Sequence, residues 1–172
     1  MVIDIKRVTT NDVEQLQEIS RTTFYETFSA VNKEENIQQY LAERFSLEKL
    51  KAELSNPLSH FYFAIQDNTA IGYLKLNFGQ AQTELQDDRA MEIERIYVRG
   101  SFHGKKIGQL LYQKSIEVAK EANAGYIWLG VWESNARAIS FYKKNGFMEF
   151  DRHIFKLGND EQTDIMMKLE LA

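Results

Sequence analysis

Hydrophobic positions recur along the chain with two different periods, and the period of each stretch predicts its secondary structure. Near the N-terminus, Ile3 and Ile5 alternate with polar residues, which predicts a first strand that ends near Val8. In the rest of the N-terminal third, apolar positions recur every three or four residues, which predicts a cluster of helices. The predicted N-terminal caps of these helices are Asn11 with Glu14, Asn32 with Glu35, and Ser46.

The remainder of the chain combines strand patterns with two more helix patterns. Residues 60–66 and 70–78 are apolar and aromatic on either side of Asp67-Asn68, which predicts a β-hairpin. Other strands are predicted near residues 92–98, 126–131, 147–155 and 164–171. Two further helices are predicted, one from the apolar positions Ile107, Leu110, Leu111, Val118, Ala119 and Ala122, the other from a cap at Ser134 or Asn135 to Lys144. Seven strands with interspersed helices predict an α/β or α+β protein.

Residues 92–108 run from a predicted strand through a glycine-containing loop into a helix. Two sets of residues alternate along the strand, with Glu92, Glu94, Ile96 and Val98 on one side and Ile93, Arg95 and Tyr97 on the other. The loop with Gly104, Lys105, Lys106 and Gly108 is expected at a helix N-terminus, where free N–H groups and the helix dipole favour a phosphate. A plain turn is the alternative interpretation, since neither GxxxxGK[ST] nor G-x-G-x-x-G occurs here.

Composition narrows the class of protein. The 172 residues are 44% hydrophobic, which is enough for a core in a single domain spanning 1–172. No cysteine is present, so the chain forms no disulfides, and a net charge of -4 disfavours nonspecific nucleic-acid binding. The sequence has no signal-peptide pattern and no apolar run of about 18 residues. We therefore expect a cytoplasmic protein with neither a membrane nor a nucleic-acid partner.

The segment WLGVWESNARAISFYKKNGF at 128–147 brings in a family resemblance. Together with ERIYV at 94–98 and the glycine-containing loop, it resembles the GNAT superfamily of N-acetyltransferases. That family's pattern is a strand, a Q/R-x-x-G-x-G/A loop, a helix, a second strand and N-x-x-A-x-x-x-Y-x-x-x-G-F. The residues that match the last part are Asn135, Ala138, Tyr142, Gly146 and Phe147. The resemblance implies a GNAT fold, with a central mixed, mostly antiparallel sheet flanked by helices, and acetyl-CoA as co-substrate with no metal.

The loop departs from the family pattern at two positions. His103 stands where Gln or Arg is usual, and Lys106 stands where the first of the two glycines is usual. We expect cofactor binding to survive, with the Lys106 side chain adding positive charge beside the pyrophosphate. The residues that the resemblance implies for cofactor binding are Ile96, Tyr97, Val98, His103, Gly104, Lys105, Lys106, Ile107, Gly108, Gln109 and Asn135.

A narrower resemblance bears on the substrate. FYETF at 24–28 and HIFKLGNDEQTDIMM at 153–167 are similar to PaiA-type spermidine/spermine N-acetyltransferases. This implies a polyamine acceptor. Six acidic residues could attract it, although a solvated surface role is the alternative for each: Glu26, Glu34, Glu35, Asp160, Glu161 and Asp164. A peptide or protein amine and a CoA-binding regulator without turnover are the alternative functions. A homodimer is an open alternative to a monomer.

Acetyl transfer to an alkyl ammonium requires a base, because the pKa of such a group lies near that of lysine, about 10.4. The resemblance points to Glu94 first and Glu92 second as this base, while an ordinary surface charge is the alternative for Glu94. Tyr142 matches the family's acid for the departing thiolate, and a packing residue is the alternative. Asn135 could be a helix cap, a cofactor contact, or both.

Overall fold

Residues 2–171, which the computed structural model describes, form one mixed sheet of seven strands and five α-helices. The strands are β1 (Asp4–Arg7), β2 (Ser59–Gln66), β3 (Thr69–Phe78), β4 (Ala90–Val98), β5 (Tyr126–Trp132), β6 (Met148–Leu157) and β7 (Asp160–Glu170). The helices are α1 (Val13–Phe28), α2 (Glu34–Arg44), α3 (Leu47–Ser55), α4 (Ile107–Glu121) and α5 (Ala136–Lys144). The strand order is β1-β2-β3-β4-β5-β7-β6, and every neighbouring pair is antiparallel except β4 with β5. The expected seven-stranded, mostly antiparallel sheet is confirmed.

Both faces of the sheet are covered by helices. On one face, α4 and α5 contribute Leu111 and Tyr142 to a core that includes Ile93 of β4. On the other face, α1, α2 and α3 pack on β2 and β3, with Leu41 and Leu50 among the buried residues. Strands that are buried on both faces read as nearly continuous apolar runs, which is the pattern of β2 and β3. Within residues 2–171, no helix combines the length and apolar character that a membrane crossing requires.

The β2–β3 hairpin is formed as predicted. Asp67 and Asn68 adopt φ values of 50° and 63° in a two-residue connection. Two consecutive left-handed residues form the turn that matches the twist of paired strands, and Asp and Asn tolerate this conformation better than other non-glycine residues. The local sequence therefore determines where β2 ends and β3 begins.

Two of the predicted helix caps are wrong. Before α1, the Asp12 carboxylate accepts a hydrogen bond from the Thr9 backbone N–H at 3.0 Å, so the capping pair precedes Asn11 and Glu14. Asn32 donates its side-chain amide back to the Phe28 carbonyl at 2.9 Å and does not cap α2. The predicted caps Ser46 and Asn135 are confirmed, since their side chains accept from the N–H groups of Lys49 and Ala138.

The apolar stripe of α4 also differs in part from the prediction. Leu110 is 36% exposed and Ala122 lies beyond the helix, whereas Tyr112 and Ser115 are buried. Ser115 is tolerated inside because its hydroxyl donates to the Tyr112 carbonyl at 2.6 Å. At the C-terminal end, β7 begins at Asp160, four residues before the predicted start at 164, and pairs with a correspondingly longer β6.

A β-bulge in β4 changes which side chains share a face. Lys75 of β3 pairs with Arg95, and its neighbour Leu76 pairs with Ile93, so Glu94 has no residue opposite it. As a result, Ile96 packs in the same core as Ile93. The predicted alternation, which placed Ile96 and Val98 on the side of Glu92, is therefore wrong beyond Glu94. Arg95 and Tyr97 instead face the helices α1–α3.

Candidate active site

The strands β4 and β5 part at the bulge. Their parallel pairing extends from Ala90 opposite Tyr126 to Ile93 opposite Leu129, while β4 continues to Val98. Beyond Ile93, the edge of β4 that faces β5 is no longer paired with it, although the other edge stays bonded to β3. Such a gap leaves backbone N–H and C=O groups free for an extended ligand. It also lies at the carboxyl ends of two parallel strands, where open sheets place their binding sites.

A cavity of about 710 Å³ lies on the α4 side of this gap. We call it the first cavity. It is lined by every predicted cofactor residue except Lys105, namely by Ile96, Tyr97, Val98, His103, Gly104, Lys106, Ile107, Gly108, Gln109 and Asn135. Tyr142 lines it as well. Lys105 instead places its ammonium 5.2 Å from the centre of the Phe102 ring.

The first cavity has further lining residues that sequence reasoning missed. Arg137, Phe141 and Lys144 are the most informative, because they lie on α5 with spacings of four and three. Residues with these spacings lie on one side of a helix, and Tyr142 had already indicated that this helix faces the ligand. The helical period of α5 was thus a signal that could have identified two additional cations at the site.

The N-terminus of α4 opens into the first cavity. Lys106 precedes the helix with φ 64° in the left-handed region, and no side chain caps the helix. Gly104 in the same loop also has a left-handed backbone conformation, with φ 80°. The N–H groups of Ile107, Gly108 and Gln109 occupy the first turn, where an α-helix offers no internal acceptor. Together with the helix dipole and the nearby cations, these donors suit a phosphate or pyrophosphate.

His103 connects the end of β4 to α5 across the mouth of the first cavity. Its Nε2 lies 2.8 Å from the Val98 carbonyl, and its Nδ1 lies 2.8 Å from a guanidinium nitrogen of Arg137. A carbonyl only accepts, so Nε2 carries the proton and Nδ1 accepts from Arg137. His103 therefore acts as a neutral bridge that orients Arg137, and it does so at the position where Gln or Arg is usual.

Tyr142 lies against the interior of the first cavity. It is only 6% exposed, and its ring packs against Phe141 and Phe147, each at 5.5 Å between ring centres. Burial raises the pKa of the Tyr142 hydroxyl well above its usual value. The hydroxyl is therefore protonated at neutral pH and available as a proton donor to a base that forms beside it, while the same burial makes it a weaker acid.

A second cavity of about 270 Å³ lies on the opposite side of β4. Its walls include Glu92, Glu94 and Asp164, together with aromatic side chains from α1, α2, β5 and β6. Tyr97 lines both cavities. The two cavities therefore approach each other at the place where β4 and β5 part.

Glu94 is held between two cations. Its carboxylate lies 2.7 Å from Lys75 Nζ and 3.1 Å from a guanidinium nitrogen of Arg95, and it accepts a hydrogen bond from Asn77 at 2.8 Å. Burial alone would raise its pKa, but the charges of Arg95 and Lys75 prevail and lower the pKa of Glu94 to about 2. Glu53 of α3 shares the same cations, at 2.7 Å from Lys75 and 3.4 Å from Arg95. Glu94 is consequently a fixed anion and a weak base.

Glu92 has a different environment. Its carboxylate accepts from the backbone N–H of Thr83 at 2.8 Å, from the Thr83 hydroxyl at 2.5 Å and from Asn77 at 3.0 Å. It is 3% exposed, and burial raises its pKa despite these hydrogen bonds. Of the two glutamates, Glu92 is therefore the stronger base. Asn77 donates to both of them, which keeps the two carboxylates close together.

Most of the other predicted acids lie outside both cavities. Asp160 accepts a hydrogen bond from Asn36 at 3.3 Å, and Glu34 accepts from the Tyr25 hydroxyl at 3.0 Å. Glu26 binds the backbone N–H of Gly100 at 3.1 Å. Of the acids expected to attract a polycation, only Asp164 lines a cavity. Across the described part of the chain, no group of three or more His, Cys, Asp or Glu could hold a metal ion.

Comparison with known proteins identifies the family of the chain. The profile of the Acetyltransferase (GNAT) family matches residues 13–147. An uncharacterised N-acetyltransferase in the pepI 3'region of Lactobacillus delbrueckii subsp. lactis is 39% identical over 170 residues, which cover 99% of this chain and 98% of the relative. A spermidine N(1)-acetyltransferase of Thermoplasma acidophilum is 30% identical over 151 residues, which cover 86% of this chain and 89% of that protein.

A solved structure shows the same fold over the whole chain. The PaiA N-acetyltransferase of Thermoplasma acidophilum, crystallised in complex with coenzyme A, superposes with a TM-score of 0.82. It is 28% identical, and the match covers 99% of this chain and 100% of the other. The fold of the chain is thus that of a known enzyme class. The chain belongs to the GNAT family of N-acetyltransferases.

Proposed function

We propose that this GNAT acetyltransferase transfers the acetyl group of acetyl-CoA to a primary amine, and that this amine is a polyamine such as spermidine or spermine. The observation that supports the proposal most is the junction of two unlike cavities at Tyr97. One has the donors for a phosphate-bearing ligand, and the other has carboxylates and aromatic side chains for an alkyl cation. The sequence similarity to a spermidine N(1)-acetyltransferase supports the polyamine.

The first cavity matches the chemical groups of acetyl-CoA. The free edge of β4 beyond Ile93 can pair with the amides of the pantetheine arm, and the first turn of α4 can bind the pyrophosphate. Lys106, Arg137 and Lys144 supply positive charge for the phosphates. The bound co-substrate supplies a thioester whose carbonyl carbon an amine can attack.

The acidic side chains of the second cavity have two distinct tasks in this proposal. Glu94, with a pKa of about 2, remains ionised and attracts the acceptor ammonium. Glu92, whose pKa burial raises, accepts the proton from that ammonium directly or through water. This assignment reverses the order expected from the family pattern, because a carboxylate stabilised by two cations is a poor proton acceptor.

Tyr142 completes the proton balance on the other side of β4. As the amine nitrogen bonds to the acetyl carbon, it loses its second proton to water, the carbon–sulfur bond breaks and the sulfur leaves as a thiolate. The Tyr142 hydroxyl then protonates that thiolate, and the tyrosinate regains a proton from water. Its burial among aromatic rings keeps the hydroxyl protonated until this step.

The experiment is a thiol-release assay with purified protein, acetyl-CoA and a panel containing spermidine, spermine, butylamine and a peptide with a free N-terminus. We expect the highest kcat/KM with the polyamines. The Glu92→Gln variant should have a lower kcat, and its pH–rate profile should lack the step that the loss of a catalytic base removes. A preference for the peptide would overturn the polyamine assignment. CoA binding without turnover of any amine would instead indicate a regulator.

A further inference from the structure

Asp164 lies in a row of side chains that crosses three strands. It pairs with Trp132 of β5 on one side and with His153 of β6 on the other. Directly opposite residues on neighbouring strands point to the same face of a sheet, and all three line the second cavity. Asp164 is therefore directed toward the space that the proposed function gives to the amine.

The Asp164 carboxylate has no partner of its own. Within residues 2–171, no hydrogen bond or ion pair engages it. Its neighbours are already satisfied, because His153 lies 2.6 Å from Glu84 and the Trp132 indole donates to Gln162 at 2.8 Å. Burial raises the pKa of Asp164 to about 6, although the nearby His153 acts to lower it. A bound cation would offset the cost of burying this charge.

Gly130 keeps the space in front of Asp164 open. A Cβ atom at this position would lie only 3.4 Å from a carboxylate oxygen of Asp164, so any side chain there would occupy that space. Glycine is unfavourable inside a strand and commonly marks the close approach of a ligand or of another backbone. The absent side chain thus exposes the carboxylate to the second cavity.

Several of the walls beside Asp164 are aromatic, and two arginines, Arg44 and Arg95, also line the cavity. Phe28 and Trp132 lie 5.1 Å apart between ring centres, and Tyr40 and Phe155 lie 5.8 Å apart. Aromatic faces pack against methylene groups and attract cations. The combination of one unpaired carboxylate with these rings suits an alkyl chain that ends in an ammonium group.

Asp164 and Glu92 are attached to the sheet at well-separated positions. Glu92 pairs with Trp128, and Asp164 pairs with Trp132 four residues further along β5. With standard strand spacings, the two Cα atoms are separated by about 13 Å along the strands and about 10 Å across them. The Asp164 side chain leans back over Gly130, so an acceptor that pairs one ammonium with each carboxylate must span the remaining distance along β5.

We propose that Asp164 binds the second cationic centre of the acceptor and thereby selects extended diamines and polyamines over monoamines and short diamines. This inference rests on the proposed function, since it assumes an amine acceptor in the second cavity. The sequence suggested that the acidic block at 160–164 as a whole selects polyamines, and this proposal assigns that selectivity to Asp164 alone. Asp160 and Glu161 have no part in it, because neither lines the cavity.

The test compares kcat/KM for 1,8-diaminooctane, 1,4-diaminobutane and octylamine in the wild type, in Asp164→Asn and in Glu161→Gln. We expect the ratio of diaminooctane to octylamine to fall about fivefold or more in Asp164→Asn, the loss of one favourable ion pair. The ratio should keep its wild-type value in Glu161→Gln, because that side chain lies outside both cavities. Asn has nearly the same shape as Asp, and a thermal melt of each variant confirms that it is folded.

Three results would overturn the proposal. The ratio could be the same in Asp164→Asn and in the wild type, or diaminobutane could be as good an acceptor as diaminooctane. In either case, turnover of amines would leave the proposed function standing. A wild-type enzyme that acetylates no amine would instead remove the proposed function and this inference together.

Discussion

Tyr142 combines a buried hydroxyl with a position on the wall of the first cavity, and its replacement by phenylalanine removes only that hydroxyl. We expect Tyr142→Phe to lower kcat by about 10²-fold to 10⁴-fold, the range of general acid catalysis. The affinity for CoA should change little, because the ring still packs against Phe141 and Phe147. Steady-state kinetics and calorimetric titration with CoA measure the two quantities.

The matched control is Tyr112→Phe. Tyr112 is equally buried and also packs edge to face against Phe141, but it does not line the first cavity. Its kcat should remain within about threefold of wild type, which corresponds to less than 1 kcal/mol in the barrier. If Tyr142→Phe behaved like this control, Tyr142 would be a packing residue and water would protonate the thiolate.

Glu94 gives a prediction about stability and pH. Its pKa is lowered from 4.5 to about 2 in the folded protein, so folding is favoured by its ionised form. This stabilisation is complete above about pH 4.5 and is lost as the pH falls toward 2. We expect Glu94→Gln to lower the free energy of unfolding at pH 7 by about 3 kcal/mol and to flatten its decline in that acid range. Urea denaturation at a series of pH values measures both effects.

Glu117→Gln is the control for this experiment. Glu117 forms an exposed ion pair with Lys114 at 3.2 Å within α4, and such pairs contribute about 0.5 kcal/mol or less. Equal losses of unfolding free energy in Glu94→Gln and Glu117→Gln would show that the ion pairs around Glu94 do not stabilise the folded protein more than an exposed pair does.

Some residues of the site could be predicted from the sequence and others could not. The spacing from Asn135 to Phe147 and the loop before α4 identified the first cavity, because these contacts are local in the chain. The relative basicity of Glu92 and Glu94 was not predictable in this way. It depends on Lys75, Glu53 and Thr83, which come from three other segments and reach the glutamates only in the folded sheet.

At the scale of elements, the loop before α4 stores strain in one residue. Lys106 adopts φ 64°, a conformation that costs a non-glycine residue about 1 kcal/mol or more. We expect Lys106→Gly to raise the free energy of unfolding by up to about 1 kcal/mol. The same change should weaken CoA binding most at low salt, because it removes a charge beside the phosphate site. Thermal melts with and without CoA separate the two effects.

Lys105→Gly is the neighbouring control. Lys105 is not among the residues with positive φ and does not line the first cavity. Glycine at 105 should therefore lower the stability, since it adds backbone freedom to the unfolded chain without relieving strain. A loss of stability in both variants would contradict the assignment of strain to Lys106.

The β-bulge is the element that the alternation of β4 failed to predict. The apolar positions Met91, Ile93, Ile96 and Val98 have spacings of two, three and two. The interval of three indicates one extra residue in the strand. The sequence therefore contained a signal for the bulge, which an interpretation based on a strict period of two misses. The bulge matters for function because it keeps Glu94 on the side of Glu92 while returning Ile96 to the core under α4.

For the whole molecule, the two cavities differ in how far the sequence predicts them. The first is built mainly by β4, the loop after it, α4 and α5. These elements follow one another closely in the chain, so a sequence motif can identify their residues. The second collects side chains from α1, α2, β4, β5, β6 and β7. Its acids and rings are scattered over most of the chain, and only the order of strands in the sheet, with β7 between β5 and β6, brings Asp164 into it.

This whole-molecule arrangement predicts how the choice of acceptor depends on pH. Burial raises the pKa of Asp164 to about 6, so the side chain is neutral below that pH and attracts a second ammonium above it. Both diaminooctane and octylamine stay protonated well beyond neutral pH, as lysine does with its pKa of about 10.4. The ratio of their kcat/KM values should therefore rise between about pH 5 and pH 7. The midpoint of the rise should lie near the pKa of Asp164 in the free enzyme.

Other ionisable groups face the same cavity, and the ratio separates their effects from that of Asp164. Glu92 and Glu94 act at the attacking nitrogen, which both amines share, so changes in their protonation cancel. His153 faces Asp164 from β6 and lies 2.6 Å from Glu84, so both are further ionisable groups near the proposed ammonium site. In Asp164→Asn the ratio should be flat with pH if Asp164 is the titrating group. A rise that persists in Asp164→Asn would assign the effect to another group of the cavity, and a flat ratio in the wild type would contradict an unpaired Asp164 in the acceptor cavity.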